Sequence, residues 1–318
     1  MGATGSIFVL GSFVAACSIK VDRLPKPGES LRGQTFTLEA GGKGFNLAVG
    51  ARRLGASVDG LLAVGDDLFA TLAEGALTRA DLPAHMLVRY PGMTGAGVAF
   101  VDADGENCLA IYPGANLRLT RQDVLATMPR AAAASLVLAQ FEIDDGPIAE
   151  AFALARTIGR TTILNPSPYR SLAPEILRTT SILVVNRLEA LHLGEDLGLT
   201  LPANGLDIVD TWRPLAEHLL SQGLETLIIT LGAAGAVAWR AGSNPLLQPP
   251  FQVAAIDTLG AGDAFTAGLA ATLAGGGAFE DGLRVAAACG ALATTRLGVF
   301  DALPTLGELT DFIAASSG

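Results

Sequence analysis

Aromatic residues make up only 6 % of this 318-residue chain and charged residues only 16 %, while half of it is hydrophobic. So little charge and so much Ala, Gly and Leu exclude a disordered or fibrous chain and suit helices packed closely on a sheet. Basic residues are short as well: 21 Lys and Arg against 31 Asp and Glu give a formal net charge of −10. That leaves no reservoir of cations for counterion release, so nucleic acid is not an expected partner. The three cysteines, Cys17, Cys108 and Cys289, have neither metal-ligand nor redox-pair spacing, which implies a reducing, cytoplasmic setting. The three histidines, His85, His192 and His218, share no metal spacing and read as structural or surface residues. No apolar run approaches the roughly 20 residues of a membrane span. The opening MGATGSIFVLGSFVAAC lacks a charged leader and is broken by Gly11 and Ser12, so it reads as a buried strand and no membrane partner is expected.

What is present is a rhythm. Short apolar runs at 7–11, 60–65, 135–140, 161–166, 181–186 and 226–232 alternate with longer helical patterns. Strands covered by helices on both faces read as such continuous runs, so the expected class is α/β, a three-layer α/β/α arrangement on a mainly parallel sheet. Ligands then gather at the carboxyl ends of the strands. Two stretches, 13–38 and 96–113, leave no room for crossover helices, and the second carries a hairpin turn at Asp104-Gly105. They are expected to form a small antiparallel lid, with 1–12, 39–95 and 114–318 forming the main domain. The segment 194–207 reads as an exposed loop.

Two glycine-rich motifs carry the chemistry. Asp257-Thr258-Leu259-Gly260-Ala261-Gly262-Asp263 precedes a helical pattern, so the backbone N–H groups of Gly260, Ala261 and Gly262 and a helix dipole converge on one point. Such an anion hole holds a phosphoryl group, and Asp263 beside it can take the proton of an attacking hydroxyl. In isolation the same residues also read as a capped helix start. The second motif, Gly41-Gly42-Lys43-Gly44-Phe45-Asn46, opens another helix and offers one cation and one amide that can grip hydroxyls, without the Walker spacing.

With both motifs in this order, about 210 residues apart, the chain resembles the ribokinase, or PfkB-type, family of carbohydrate kinases over nearly its whole length. GSF, PKPGE, NP, NRLE, TLG and TRLG follow the family's order. The resemblance implies an ATP-dependent transfer of the γ-phosphoryl group to a hydroxyl, preferably primary, of a small carbohydrate, with Asp263 as base. It further implies that Gly42, Lys43, Asn46 and Glu142 contact the sugar, that Asn186 and Glu189 act on Mg²⁺ largely through water, and that Thr230 and Gly232 receive the nucleotide phosphates. Many members are activated by K⁺, and the matching positions are Asp257, Leu259, Ala293, Arg296 and Gly298. Asp301-Ala302 departs from the serine-bearing end of that pattern. The small sheets of relatives often pair across a homodimer, and the apolar run from Phe13 to Cys17 is the expected interface.

One departure bears on substrate. Where ribokinase proper has Asn-x-Asp after its first Gly-Ser, this chain has Val14 and Ala16. Losing both polar groups implies weaker binding of ribose, or an acceptor with an apolar face there. A nucleoside kinase of the same family and a non-catalytic sugar or nucleotide sensor are the alternatives. A Rossmann dehydrogenase, the third reading, is not expected, because GSFVAA is not GxGxxG.

Overall fold

The apolar runs of the sequence become strands of a single large sheet in the computed structural model, which describes residues 5–102, 107–201 and 208–316. In chain order the strands are β1 (Ser6–Ser12), β2 (Val14–Lys20), β3 (Thr35–Gly41), β4 (Ser57–Val64), β5 (Leu87–Arg89), β6 (Gly95–Val101), β7 (Asn107–Tyr112), β8 (Leu136–Gln140), β9 (Thr161–Asn165), β10 (Ile182–Asn186), β11 (Thr226–Thr230), β12 (Ala236–Arg240) and β13 (Leu246–Gln248). The helices are α1 (Lys43–Arg53), α2 (Leu68–Arg79), α3 (Arg121–Ala126), α4 (Met128–Ala133), α5 (Asp145–Thr157), α6 (Pro174–Thr179), α7 (Arg187–Asp196), α8 (Ile208–Ser221), α9 (Ala261–Ala274), α10 (Phe279–Ala293) and α11 (Leu306–Ala315).

The large sheet has nine strands in the order β13-β12-β11-β10-β9-β8-β1-β4-β5. From β11 to β5 every pair is parallel, and β12 and β13 close one edge antiparallel. Alternate residues feed opposite layers. Ile7 and Val9 of β1 pack with Phe45, Ala70, Leu269, Leu283 and Leu309 from α1, α2, α9, α10 and α11. Phe8 and Leu10 pack with Val124, Phe152, Leu193 and Leu215 from α3, α5, α7 and α8. Strands buried on both faces therefore need apolar residues at every position, which is why their runs are continuous.

The small sheet has the order β3-β2-β6-β7 and is mixed, not antiparallel throughout, because β2 and β6 pair parallel. Both strands leave the large sheet from its carboxyl edge, β2 continuing β1 through Phe13 and β6 following β5, so they run outward in the same direction. Asn116 ties this exit, accepting from Phe13 N at 3.0 Å and donating to Phe13 O at 2.9 Å. Phe13 is fully buried edge-on against Phe45, and Val14 and Ala15 are buried with it, so of the run from Phe13 to Cys17 only Ala16 and Cys17 keep partial exposure, Cys17 lying between Leu38 and Val98. Exposed apolar residues of the small sheet lie on both faces: strand register puts Phe36, Leu38, Val98 and Tyr112 on one, and Leu109 and Ile111 on the other.

The Asp104-Gly105 turn and residues 202–207 of the 194–207 loop lie outside the described residues. Residues 194–196 are not loop: they complete α7, where Gly194 is buried beneath Leu201. Among the described residues no helix is long and apolar enough to cross a membrane.

Candidate active site

From β1 the chain passes through α1 to β4 on one side, and later returns to β8 on the other. The carboxyl ends of β1 and β8 therefore flank a point where the strand order reverses, which opens a crevice. The start of α1 is pressed into that crevice. A Cβ on Gly44 would stand 2.3 Å from Ser12 N and 2.5 Å from Gly11 Cα, so only glycine lets helix and strand backbones meet. The first N–H groups of α1 have no cap from Gly42 and are taken from across the crevice. Lys43 N donates to Glu142 Oε2 at 2.8 Å and Gly44 N to Ser12 Oγ at 3.2 Å.

One turn further along α1, Asn46 lies on the same face as Lys43. Its Nδ2 donates to Asp263 Oδ2 at 2.8 Å, and Lys43 Nζ stands 3.6 Å from Asp263 Oδ1. Close packing of α1 on α9 allows this, since Gly50 leaves room for Ala267. Asp263 is only 4 % exposed, yet its Oδ1 and Asn46 Oδ1 have no hydrogen-bond partner among the described residues. Two buried, unpaired acceptors beside a cation suit a hydroxyl donor that enters as ligand. Burial by itself would lower the Lys43 pKa, but Asp263, Glu142 and Glu189 outweigh it and hold the ammonium above its ordinary value.

Asp263 does not cap its helix. The N-cap of α9 is Gly260, with a left-handed φ of 78°, and a Cβ there would collide with Val299 at 2.6 Å. Ala261 N is engaged with Thr258 O at 3.3 Å, while Gly260 N and Gly262 N make no such bond among the described residues. The space over Gly262 is open, so the first turn of α9 can meet an anion.

Beyond α9 a cleft of about 300 Å³ runs past Thr230 and Gly232 to Phe251, Val253, Phe265, Ala287 and Gly290. Thr230 ends β11, and Gly232 adopts φ 59° with open space where a side chain would stand, so the cleft suits a long polyphosphate ligand with a flat apolar end. The small residues of α10 that wall it were not recognisable from sequence, since Ala287 and Gly290 read as helix packing. A larger depression beside Arg213 and Trp239 shares no residue with the site.

Asn186 and Glu189 form a reciprocal capping box on α7: Glu189 N donates to Asn186 Oδ1 at 2.9 Å and Asn186 N to Glu189 Oε2 at 2.8 Å. The Glu189 charge nevertheless reaches Lys43. Among the described residues no three His, Cys, Asp or Glu groups cluster to hold a metal ion. The positions Asp257, Leu259, Ala293, Arg296 and Gly298 lie on two segments stapled together. Asp257 accepts from Leu259 N at 2.9 Å and Gly298 N at 3.1 Å, while the Arg296 guanidinium turns to Glu308 at 2.5 Å.

Three participants carried no signal in their residue types: Ser12 and Gln140, which surround Glu142, and Glu39, whose carboxylate reaches from β3 to the Gly298 turn. Glu39 faces the site because it pairs with Ala16 across β2 and β3, a relation only strand register reveals.

Known proteins resemble this chain over nearly its whole length. The family described as pfkB family carbohydrate kinase matches residues 4–306. A ribokinase of Haemophilus influenzae is 31 % identical over 311 residues, covering 97 % of this chain and 98 % of the relative. A deoxyribokinase of Salmonella typhi is 29 % identical over 311 residues, with 97 % and 98 % covered. The solved structure of Arabidopsis thaliana ribokinase complexed with ribose and ATP superposes with a TM-score of 0.88 at 25 % identity, covering 98 % of this chain and 99 % of that one. The chain belongs to the pfkB family of carbohydrate kinases, phosphotransferases that use an alcohol group as acceptor.

Proposed function

We propose that this protein transfers the γ-phosphoryl group of ATP to a hydroxyl of a small sugar, with Asp263 as the general base. The observation that carries this reading is the buried Asp263 Oδ1, which stands 3.6 Å from Lys43 Nζ and accepts no hydrogen bond among the described residues, beside the open first turn of α9. The acceptor O–H gives its proton to Asp263 as the new O–P bond forms and the bond from Pγ to the bridging oxygen breaks, releasing ADP. The N–H groups at Gly260 and Gly262 and the positive end of α9 meet the charge on the moving phosphoryl group. Lys43 and Glu142 hold the acceptor beside Asn46, and Thr230 and Gly232 receive the phosphates. Mg²⁺ near Asn186 and Glu189 would neutralise phosphate charge, and K⁺ between the Asp257 and Gly298 segments would stiffen the anion hole from behind.

The small sheet is the lid, and its inner face sets the acceptor. Val14 pairs with Gly41 and Gly95, and Ala16 with Glu39 and Gly97, so apolar or absent side chains dominate its first rungs. Glu39 is drawn off to the Gly298 turn. Such a surface favours a sugar poor in hydroxyls on that edge, a deoxy sugar over ribose. The exposed face of the lid, with Phe36, Leu38, Val98 and Tyr112, is the surface on which two copies pair.

The test is ADP release from Mg-ATP, with K⁺ present, across D-ribose, 2-deoxy-D-ribose, hexoses, ketoses, sugar acids and nucleosides. A deoxy sugar should exceed ribose in kcat/KM. Ribose as best acceptor overturns the role given to Val14 and Ala16, a nucleoside moves the acceptor class, and silence with ATP still bound favours a sensor.

A further inference from the structure

Ser12 ends β1 and is fully buried, yet three polar groups meet its hydroxyl. Gly44 N donates to Ser12 Oγ at 3.2 Å and Gln140 Nε2 donates to it at 3.1 Å. A hydroxyl has two acceptor sites and one hydrogen. Both acceptor sites are filled, so the hydrogen points to Glu142 Oε2, at 2.6 Å. That same oxygen receives Lys43 N, and Gln140 Oε1 accepts the backbone N–H of Glu142. From behind, the Arg170 guanidinium donates to Phe141 O at 2.5 Å and Ile143 O at 2.7 Å, fixing the backbone on either side of Glu142. Glu142 Oε1 alone has no hydrogen-bond partner among the described residues.

We infer that Ser12 is a positioning residue for the acceptor: its hydroxyl, oriented by Gln140 and Gly44, holds one oxygen of Glu142 so that the other is presented to a sugar hydroxyl. This rests on the acceptor site proposed above. The direction of the network makes Oε2 accept twice, which orients the carboxylate and leaves its second oxygen as the only one available to a ligand. The same bonds also cap α1, so stability alone cannot separate positioning from capping.

The experiment compares Ser12→Ala, Glu142→Gln and the double variant, using whichever of D-ribose and 2-deoxy-D-ribose the parent protein phosphorylates better, with melting temperatures recorded alongside. Ser12→Ala is expected to raise the acceptor KM about tenfold while kcat and the KM for ATP stay within about threefold. In the Glu142→Gln background the same change should add nothing, because Ser12 acts through that carboxylate. Multiplying effects, equal losses for ATP and acceptor, or a lower melting temperature with unchanged kinetics would each leave only capping. If Ser12→Ala does not fold, Gln140→Met, which removes the donor that orients Ser12, is read in the same way. A parent protein that phosphorylates neither sugar nor any other acceptor defeats the acceptor site itself, an outcome distinct from an active parent with an indifferent Ser12→Ala.

Discussion

At Gly44 a single added carbon has nowhere to go. Its nearest neighbours would be backbone atoms of Gly11 and Ser12 at 2.3–2.6 Å, and backbone cannot rotate aside as a side chain can. Gly44→Ala should therefore cost about 1–3 kcal/mol of stability and push Lys43 and Asn46 away from Asp263. Thermal unfolding together with the acceptor KM checks this, and a variant with parental values of both would mean that the crevice tolerates a wider helix start. The glycine motif was legible in the sequence because its spacing is itself the constraint. The roles of Ser12 and Gln140 were not, since a serine and a glutamine become a directional network only when two strands distant in sequence lie side by side.

Helix α11 is tied to the 296–298 turn through one carboxylate. Glu308 closes the α11 capping box with Thr305 and also receives Arg296. The Arg296 hydrogen bond, followed by that of Thr305 N, lowers its pKa from 4.5 to about 2. A folded pKa below the unfolded one gives stability that is present above about pH 4.5 and lost as the pH falls toward 2. Both side chains are 38 % exposed, so solvent screening leaves about 1 kcal/mol. Glu308→Gln should lower the melting temperature at pH 7 by about 2 °C and flatten its fall between pH 5 and pH 3, as scanning calorimetry would record. An unchanged acid slope would show that the bridge contributes nothing. At this scale the βαβ rhythm was legible because doubly buried strands must be apolar throughout. The parallel pairing of β2 with β6 was not, because it follows from the direction in which each chain segment leaves the large sheet, not from its residues.

At the scale of the whole molecule, the small sheet offers a surface on which two copies could meet. Phe13 is buried against Phe45, whereas the face that Cys17 shares with Leu38 and Val98 also carries Phe36, 63 % exposed, and Tyr112, 58 % exposed. If two copies pair through that face, Leu38→Lys should yield a monomer in sedimentation velocity while the parent protein sediments as a dimer. A parent that stays monomeric at micromolar concentration removes the interface. In the proposed reaction the lid holds the acceptor and the first turn of α9 the phosphoryl group, and Asp263 is the residue on which both depend. The most direct measurement of the account is single-turnover phosphoryl transfer by Asp263→Asn, with ATP binding measured on the same preparation. The substitution keeps the size of the side chain and its contact with Asn46 but removes the proton acceptor, so the rate should fall at least about 100-fold while ATP affinity stays within about threefold. A rate within tenfold of the parent would contradict the assignment of Asp263 as the base.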